Sequence, residues 1–281
     1  MRPKLVLIEG LPGSGKTTTA RLVHEILAEM NVAAQLFEEG NLDHPADYDG
    51  VAVFTNEEWH ALLTGHEAFK EVLARRVVND VNHYFLEYRK MFNEHGFHFP
   101  DELVHAIFKH DVYELPLGQN RKQITERWKT FAESASQGSE TYIFECCFIQ
   151  NPVTMGMIKF GAPSEDVIGY VAELAAIVER LNPVLIYVDQ DDLDYSFRKA
   201  VDERPAEWST GFIDYYTLQG YGQAQGYTGL EGTVEVLKAR SELEDTIFND
   251  INIAKIRVIN SLNDRQAYKQ VLVELLAEYF K

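Results

Sequence analysis

Residues 5–20, LVLIEGLPGSGKTTTA, carry an apolar run, three closely spaced glycines, a lysine and three threonines, in that order. Residues 5–8 are apolar and predict a short buried strand, and Gly10, Gly13 and Gly15 permit a tight loop after it. Beyond Lys16 and Thr17, the residues Ala20, Val23, Ile26, Leu27 and Met30 recur at helical spacing and predict a helix with one apolar stripe. The loop fits G-x-x-x-x-G-K-T/S through Gly10, Gly15, Lys16 and Thr17, and it lies between strand and helix as a phosphate cradle requires. In such a cradle Gly10, Leu11, Pro12, Gly13, Ser14, Gly15, Lys16, Thr17 and Thr18 wrap a polyanion. Backbone amides point inward, the helix N-terminus adds a positive partial charge, Lys16 supplies a full charge for the β- and γ-phosphates, and Thr17 offers its hydroxyl to Mg²⁺. The expected ligands are a nucleoside triphosphate and Mg²⁺.

The chain carries 26 Lys+Arg against 44 Asp+Glu, a net charge of −18, so general binding to a nucleic-acid backbone is not expected without a local basic groove. With 281 residues, 46% of them hydrophobic, a sizeable core can form. No apolar run reaches the roughly 20 residues of a membrane-spanning helix. The N-terminal apolar segment also runs into the glycine loop without a cleavage-site region, so a soluble cytoplasmic protein with no membrane partner is expected. Cys146 and Cys147 are the only cysteines; as neighbours they cannot staple distant segments, which fits buried thiols in a reducing compartment.

Further strand patterns occur in VAAQLFEEG, TYIFECCFI, VLIYVD and KIRVIN, separated by helical stretches. The chain therefore reads as α/β, with five strands in a mainly parallel sheet flanked by helices and ligands outside the carboxyl ends of the strands. Residues 55–138 read as a helical insertion between the second and third strands. Within it Phe69, Leu73, Val81, Phe85, Tyr88 and Phe92 fit one long amphipathic helix. Ser164 is placed to cap a helix that begins with Glu165 and Asp166, and Asn182 and Pro183 stop it. Residues 190–229 form a candidate lid, in which GFIDYYTLQGYGQAQGYTG has no clear period and reads as a flexible or ligand-ordered loop. On this reading residues 1–281 form one domain.

The stretch IEGLPGSGKTTTA resembles the opening of the thymidylate and deoxynucleoside kinases, where Ile-Glu-Gly commonly precedes the rest of the loop. LIYVDQDDLDYSFRKAVDERP is similar to the fourth strand and following helix of the same broad group, the P-loop kinases of small molecules that also include adenylate kinase. The resemblance covers the sheet core, near residues 1–40, 140–200 and 255–281. It implies a sheet of the P-loop NTPase type and an ATP- and Mg²⁺-dependent phosphotransferase with a small-molecule acceptor. Lys16 and Thr17 match the group's phosphate and Mg²⁺ positions. Arg198 and Arg204 stand where its lid arginines grip phosphates, with solvent-exposed helix charge as the other reading.

Glu145 stands where the deoxynucleoside kinases carry Glu-Arg-Ser and the thymidylate kinases Asp-Arg. Cys146 takes the place of the arginine, so the substrate of those families does not carry over. A carboxylate at a strand's carboxyl end near Mg²⁺ can hold the ion or serve in catalysis, and a buried, paired structural acid is the alternative. Glu38 and Glu39 end the second strand, where the deoxynucleoside kinases place a general base, but Gly40 replaces the family's proline. An acidic pair flanking a turn is the other reading there, and Glu9 reads as structural.

Asp189, Asp191, Asp192 and Asp194 lack the calcium-loop pattern and read as caps of the next helix. The nine histidines show no zinc spacing, HGFHF reads as a helix end, and no metal beyond nucleotide-bound Mg²⁺ is expected. Trp59, Tyr84, Tyr88, Phe92 and Trp128 can stack on a flat ligand or simply fill a core, and residues 208–227 offer a second candidate wall. Two activities stay open. One is transfer of the ATP γ-phosphoryl group to a hydroxyl or phosphate of a nucleoside, nucleotide or other small molecule. The other is a nucleotide-dependent ATPase or switch acting on a protein partner, with a cradle that binds without turnover as a weaker third. The chain has no Asn-Lys-x-Asp after a strand and no Asp-x-x-Gly at the third strand, which speaks against a GTPase.

Overall fold

The computed structural model describes residues 2–96, 98–260 and 264–280. Positions 1 and 281 of the predicted domain, and Phe97 of HGFHF, lie outside the described residues. The chain runs β1 (Leu5–Glu9), α1 (Lys16–Glu29), β2 (Ala34–Phe37), β3 (Ala52–Thr55), α2 (Asn56–Gly65), α3 (Lys70–Arg75), β4 (Val77–Asn79), β5 (His83–Leu86), α4 (Tyr88–His95), α5 (Asp101–Phe108) and α6 (Leu117–Gln137). It continues with β6 (Thr141–Glu145), α7 (Gln150–Val153), α8 (Ser164–Val178), β7 (Val184–Asp189), α9 (Leu193–Glu203), α10 (Ala206–Thr217), α11 (Gly220–Gln225), α12 (Gly229–Asp250), β8 (Ala254–Ile259) and α13 (Arg265–Tyr279). Two compact units result: the residues up to Glu39 with those from Trp128 on, and Gly40–Arg127.

The first unit holds the five-stranded parallel sheet, in the order β2–β6–β1–β7–β8. β1 lies at its centre, with Ile8 opposite Glu145 of β6 and Glu9 opposite Tyr187 of β7. All five residues of β1 are buried, which is why it reads as an unbroken apolar run rather than an alternating one. On one face, Val6, Ile8, Ile143, Val184, Ile186 and Val188 pack against Ala20, Val23, Ile26 and Leu27 of α1 and Tyr268, Leu272 and Leu276 of α13. The chain leaves β1 toward β2 and later crosses to β7 on the other side. This order opens a crevice beside the carboxyl end of β1, where such sheets bind ligands.

The second unit is not purely helical. It holds a three-stranded antiparallel sheet, β3–β5–β4, with α2 to α5 around it. The residues expected to form one amphipathic helix divide among a 3-10 turn at Glu67–Phe69, α3, the β4–β5 hairpin and α4. Two local causes override the helical period. Valines 77 and 78 and the aromatic pair Tyr84 and Phe85 favour strands, and Asp80 accepts hydrogen bonds from the amides of Asn82 and His83, both at 2.7 Å, to close the turn. The core of this unit gathers Ala52, Phe54, Trp59, Leu62, Leu86, Tyr88, Met91, Phe92 and Leu103. Thr55 and Glu58 cap α2 reciprocally: the Thr55 side chain accepts from the Glu58 amide at 3.3 Å, and Glu58 accepts from the Thr55 amide at 2.8 Å.

The structure corrects two further expectations. Ser164 is the first helical residue of α8 and makes no capping bond, because Pro163 occupies the cap position. The Gly/Tyr/Gln-rich part of residues 190–229 is not an irregular loop but the helices α10 and α11. Gly220 and Gly222 serve close packing: a Cβ on Gly222 would sit 2.0 Å from the Tyr216 carbonyl oxygen, and one on Gly220 2.1 Å from that of Ile158. Asp192 caps α9, accepting from the Tyr195 amide at 2.9 Å, as read from the acidic cluster. Among the described residues no helix is long and apolar enough to cross a membrane.

Gly10 turns the chain out of β1 at φ 147°, and a Cβ there would lie 2.3 Å from the Val188 carbonyl oxygen of β7. Gly10→Ala is therefore expected to destabilise the protein by about 2 kcal/mol or more, read as a lower urea midpoint with an unchanged m-value.

Candidate functional site

The loop leaving β1 enters α1 through Gly15, which holds the N-cap in a left-handed conformation, φ 92°, without a side-chain cap. The φ of 92° favours glycine, and a Cβ there would also push aside the Asn260 side-chain nitrogen, 2.1 Å away; Asn260 itself donates to the Ser14 carbonyl at 3.4 Å. Lys16 is buried and donates from Nζ to the Leu11 carbonyl at 3.0 Å, folding back over its own loop. Ser14 Oγ is buried and has no hydrogen-bond partner among the described residues. The first amides of α1 have no carbonyl one turn back to pair with. Together these give an orphaned hydroxyl, unpaired amides and an ammonium around a cradle that a Cβ would fill. That donor set fits a ligand with several anionic oxygens.

α1 and β6 meet at the next residue. The Thr17 hydroxyl donates to Glu145 Oε1 at 2.6 Å, and the Glu39 amide donates to Glu145 Oε2 at 3.4 Å. Burial pushes the Glu145 carboxyl above its usual range, opposed by the Thr17 hydrogen bond. Glu39 accepts from Gln150 Nε2 at 2.9 Å and from the Cys146 thiol at 3.5 Å. Ligand atoms of Glu39, Glu145 and Cys146 lie within 4.8 Å of one another. For Mg²⁺ the usable donors are the oxygens of Thr17, Glu145 and Glu39, since a hard cation prefers oxygen to a thiol. Both cysteines are buried, and Cys146 adopts φ 71° directly after Glu145.

The other candidates separate. Glu38 turns to solvent and pairs twice with Arg21, at 2.6 and 2.8 Å, so of the two acids ending β2 only Glu39 lines the cavity. Arg198 does not reach it either. Its guanidinium is shared between Asp194 and Glu231, each at 2.7 Å, the solvent-facing helix charge that was its second reading. Arg204 does line the cavity, with its guanidinium 4.1 Å from the centre of the Trp208 ring. Trp59, Tyr88 and Phe92 lie in the core of the second unit, Tyr84 stacks on Trp59 at 5.3 Å, and Trp128 packs on Phe131, Phe144 and Phe148.

Two buried groups shape the site: Glu9, read in the sequence as structural, and Arg240 with Glu244, which the sequence reading missed. Glu9 is buried and accepts from the amides of Phe148 at 2.7 Å and Gln150 at 2.9 Å, anchoring the turn that carries Glu145, Cys146 and Gln150 past the loop. Arg240, from the middle of α12, is fully buried, donates to Glu244 at 2.6 Å, to the Tyr216 hydroxyl at 2.6 Å and to Thr154 Oγ1 at 3.2 Å, and lines the cavity floor. Glu244 also accepts from the Tyr187 hydroxyl at 2.6 Å. The spacing of Arg240 and Glu244 is ordinary for an exposed helix pair, and only their burial marks them.

These groups surround a cavity of about 1130 Å³, bounded by the phosphate-type loop, the ends of β2 and β6, α9, α10 and Asn260. It exceeds the roughly 300–1,000 Å³ usual for one small ligand. No protein-family model matches the chain, and no curated protein does. Among solved structures it is similar over its full length, and that of the other chain, to a candidate kinase from Chloroflexus aurantiacus J-10-fl at 13% identity and a TM-score of 0.40. It is similar over 88% of its length to 97% of the protein APE1195, at 15% identity and a TM-score of 0.31. At these scores neither likeness bears on the activity.

Two stability outcomes are expected from the buried charges. Burial pushes the Glu9 carboxyl up to about 7 from the ordinary 4.5, against the pull of its amide donors. The folded state then binds more protons than the unfolded one between pH 4.5 and 7, so the contribution of Glu9 to stability falls as pH rises through that window. In Glu9→Gln this part of the slope is expected to vanish. The variant should also lose about 1–3 kcal/mol at pH 5, where an amide N–H faces the side-chain NH₂; urea unfolding at several pH values checks both. Arg240→Leu strands the Glu244 carboxylate and is expected to cost about 3–5 kcal/mol by the same measurement.

Proposed function

We propose that the protein is a Mg²⁺-dependent phosphotransferase of the P-loop type that moves the γ-phosphoryl group of ATP to a small-molecule acceptor. The observation that carries this reading is the conjunction at the end of β1. There a glycine-lined cradle with a buried lysine and an unpartnered Ser14 hydroxyl is joined, through the 2.6 Å Thr17–Glu145 hydrogen bond, to carboxylates in the same cavity.

The roles follow from position. Lys16 and the first amides of α1 hold the phosphates, and Ser14 Oγ offers a further donor. Thr17 and Glu145 would hold Mg²⁺, which would supply positive charge to offset that of the phosphates. Glu39 sits on the same carboxylate cluster at its exposed end, bonded to the Gln150 amide and the Cys146 thiol, and is the candidate base that accepts a proton from the acceptor. Arg204 stands over the cavity on Trp208 and can move to developing negative charge, and a planar guanidinium suits that task. Arg198 is assigned to the surface ion pairs of α9 rather than to chemistry.

Lys16→Ala is expected to abolish Mg²⁺-linked ATP binding in calorimetry while the circular dichroism spectrum is retained. Glu145→Gln is expected to lower turnover at least tenfold with less than a threefold change in ATP affinity in the absence of Mg²⁺. ATP consumption that needs no acceptor would move the reading to an ATPase.

A further inference from the structure

The charges around the cavity name a class of acceptor, on the reading that this site transfers a phosphoryl group. Among the described residues four cationic side chains line it: Lys16, Lys199, Arg204 and Arg240. Lys16 belongs to the phosphate cradle. Arg240 donates to Glu244, Tyr216, Thr154 and the Gln150 carbonyl, so its charge is spent in a buried pair. Lys199 and Arg204 belong to the α9 side. That helix packs against the cradle, since a Cβ on Gly13 would lie 3.5 Å from the Ser196 carbonyl and 3.7 Å from Ala200 Cβ. Lys199 and Arg204 flank Ala200 on this helix and its C-cap, with Lys199 3.9 Å from Glu203.

The opposite side of the cavity has another character. It begins at the carboxylates of Glu39 and Glu145, continues through Gln150, which bonds Glu39, and through Arg240 and Tyr216, and ends in the aromatic face of α10. There Tyr216 and Phe212 stack with centroids 4.2 Å apart, and Trp208 lies 5.1 Å from Phe212. Apart from Arg204, which lies over the Trp208 ring at the far end, this wall offers two carboxylates, an amide, hydroxyls and ring faces, with the Arg240 charge already paired. A phosphate group placed beside Glu39, the carboxylate not assigned to Mg²⁺, would face like charge, which costs affinity. A hydroxyl compound that is neutral or carries an ammonium would meet acceptors for its O–H and N–H groups and an apolar face to lie on.

We propose that the acceptor is an unphosphorylated hydroxyl compound, neutral or cationic, held between the Glu39 carboxylate and the Phe212–Tyr216 face. The acceptor oxygen bonds to the γ-phosphorus as the bond to the β,γ-bridging oxygen breaks. The nucleoside diphosphate leaves with that electron pair, and the hydroxyl proton passes to the Glu39 carboxylate.

The test uses the full chain saturated with Mg²⁺ and the β,γ-imido analogue of ATP. It is titrated calorimetrically with matched pairs: glucosamine and its 6-phosphate, ethanolamine and phosphoethanolamine, thymidine and thymidine 5′-monophosphate, adenosine and its 5′-monophosphate. Within each pair that binds, the unphosphorylated member is expected to bind roughly tenfold or more tightly than its ester. Glu39→Lys, at an exposed position, is expected to cut that ratio by about tenfold or reverse it. Tighter binding of the ester in any pair, silence from every unphosphorylated member at millimolar concentration, or a ratio unmoved by Glu39→Lys overturns the proposal. Failure of the ATP analogue to bind at all would instead remove the phosphotransferase reading beneath it.

Discussion

Parallel pairing of β1 with β6 on one side and β7 on the other fixes where everything else in the site can be. Because Ile8 is in register with Glu145 and Glu9 with Tyr187, β1 and β6 end within one residue of each other and β7 two residues further on, so that the glycine loop, the Glu145 carboxylate and the acidic turn after β7 line one cavity. The apolar core under β1 fixes that register, since a slip of one residue would turn Val6 and Ile8 away from α1 and α13. Gly10 then takes the chain past the Val188 carbonyl, a passage no side chain allows.

Around that frame the protein buries charge in two places and satisfies it differently. Glu9 is held by backbone amides, so the carboxylate is a bolt for the turn after β6 and not a solvent-facing acid. Arg240 and Glu244 form a pair with Tyr187, Tyr216 and Thr154 around it, which ties α12 to α10 and to the segment following α7. Buried pairs of this kind add little net stability but tolerate no loss of one partner. They make the cavity wall a fixed arrangement of polar groups, a useful property if the site, as proposed, holds a donor and an acceptor in mutual orientation.

Much of the sheet was legible because its strands are short, apolar and followed by the residues a turn needs. The strand, glycine-rich turn and helix at residues 5–29 were legible because four residues, Gly10, Gly15, Lys16 and Thr17, fall at fixed spacing between an apolar run and an amphipathic stretch. Residues 67–92 misled, because apolar positions at intervals of three, four and eight match a helix as well as they match a 3-10 turn, a helix and a hairpin in succession. The turn residues Asn79, Asp80 and Asn82 carried the contrary signal. Glycines 220 and 222 also misled, since in sequence they look like freedom and in the fold they are points of closest approach. Arg240 was hidden for another reason: a helix pair four residues apart looks the same whether water or protein surrounds it. Glu38 and Glu39 could not be separated without seeing that Arg21, one turn into α1, claims the first of them.

The tight seating of α11 has a further consequence for how such a cavity can diversify. With the Gly220 backbone pressed against the Ile158 carbonyl and Gly222 against that of Tyr216, insertions or deletions along residues 217–222 would unseat a whole helical corner. Altered ligand preference is therefore most easily reached by exchanging the cavity-lining side chains of α10, at 208, 212 and 215, while the path of the main chain stays as it is.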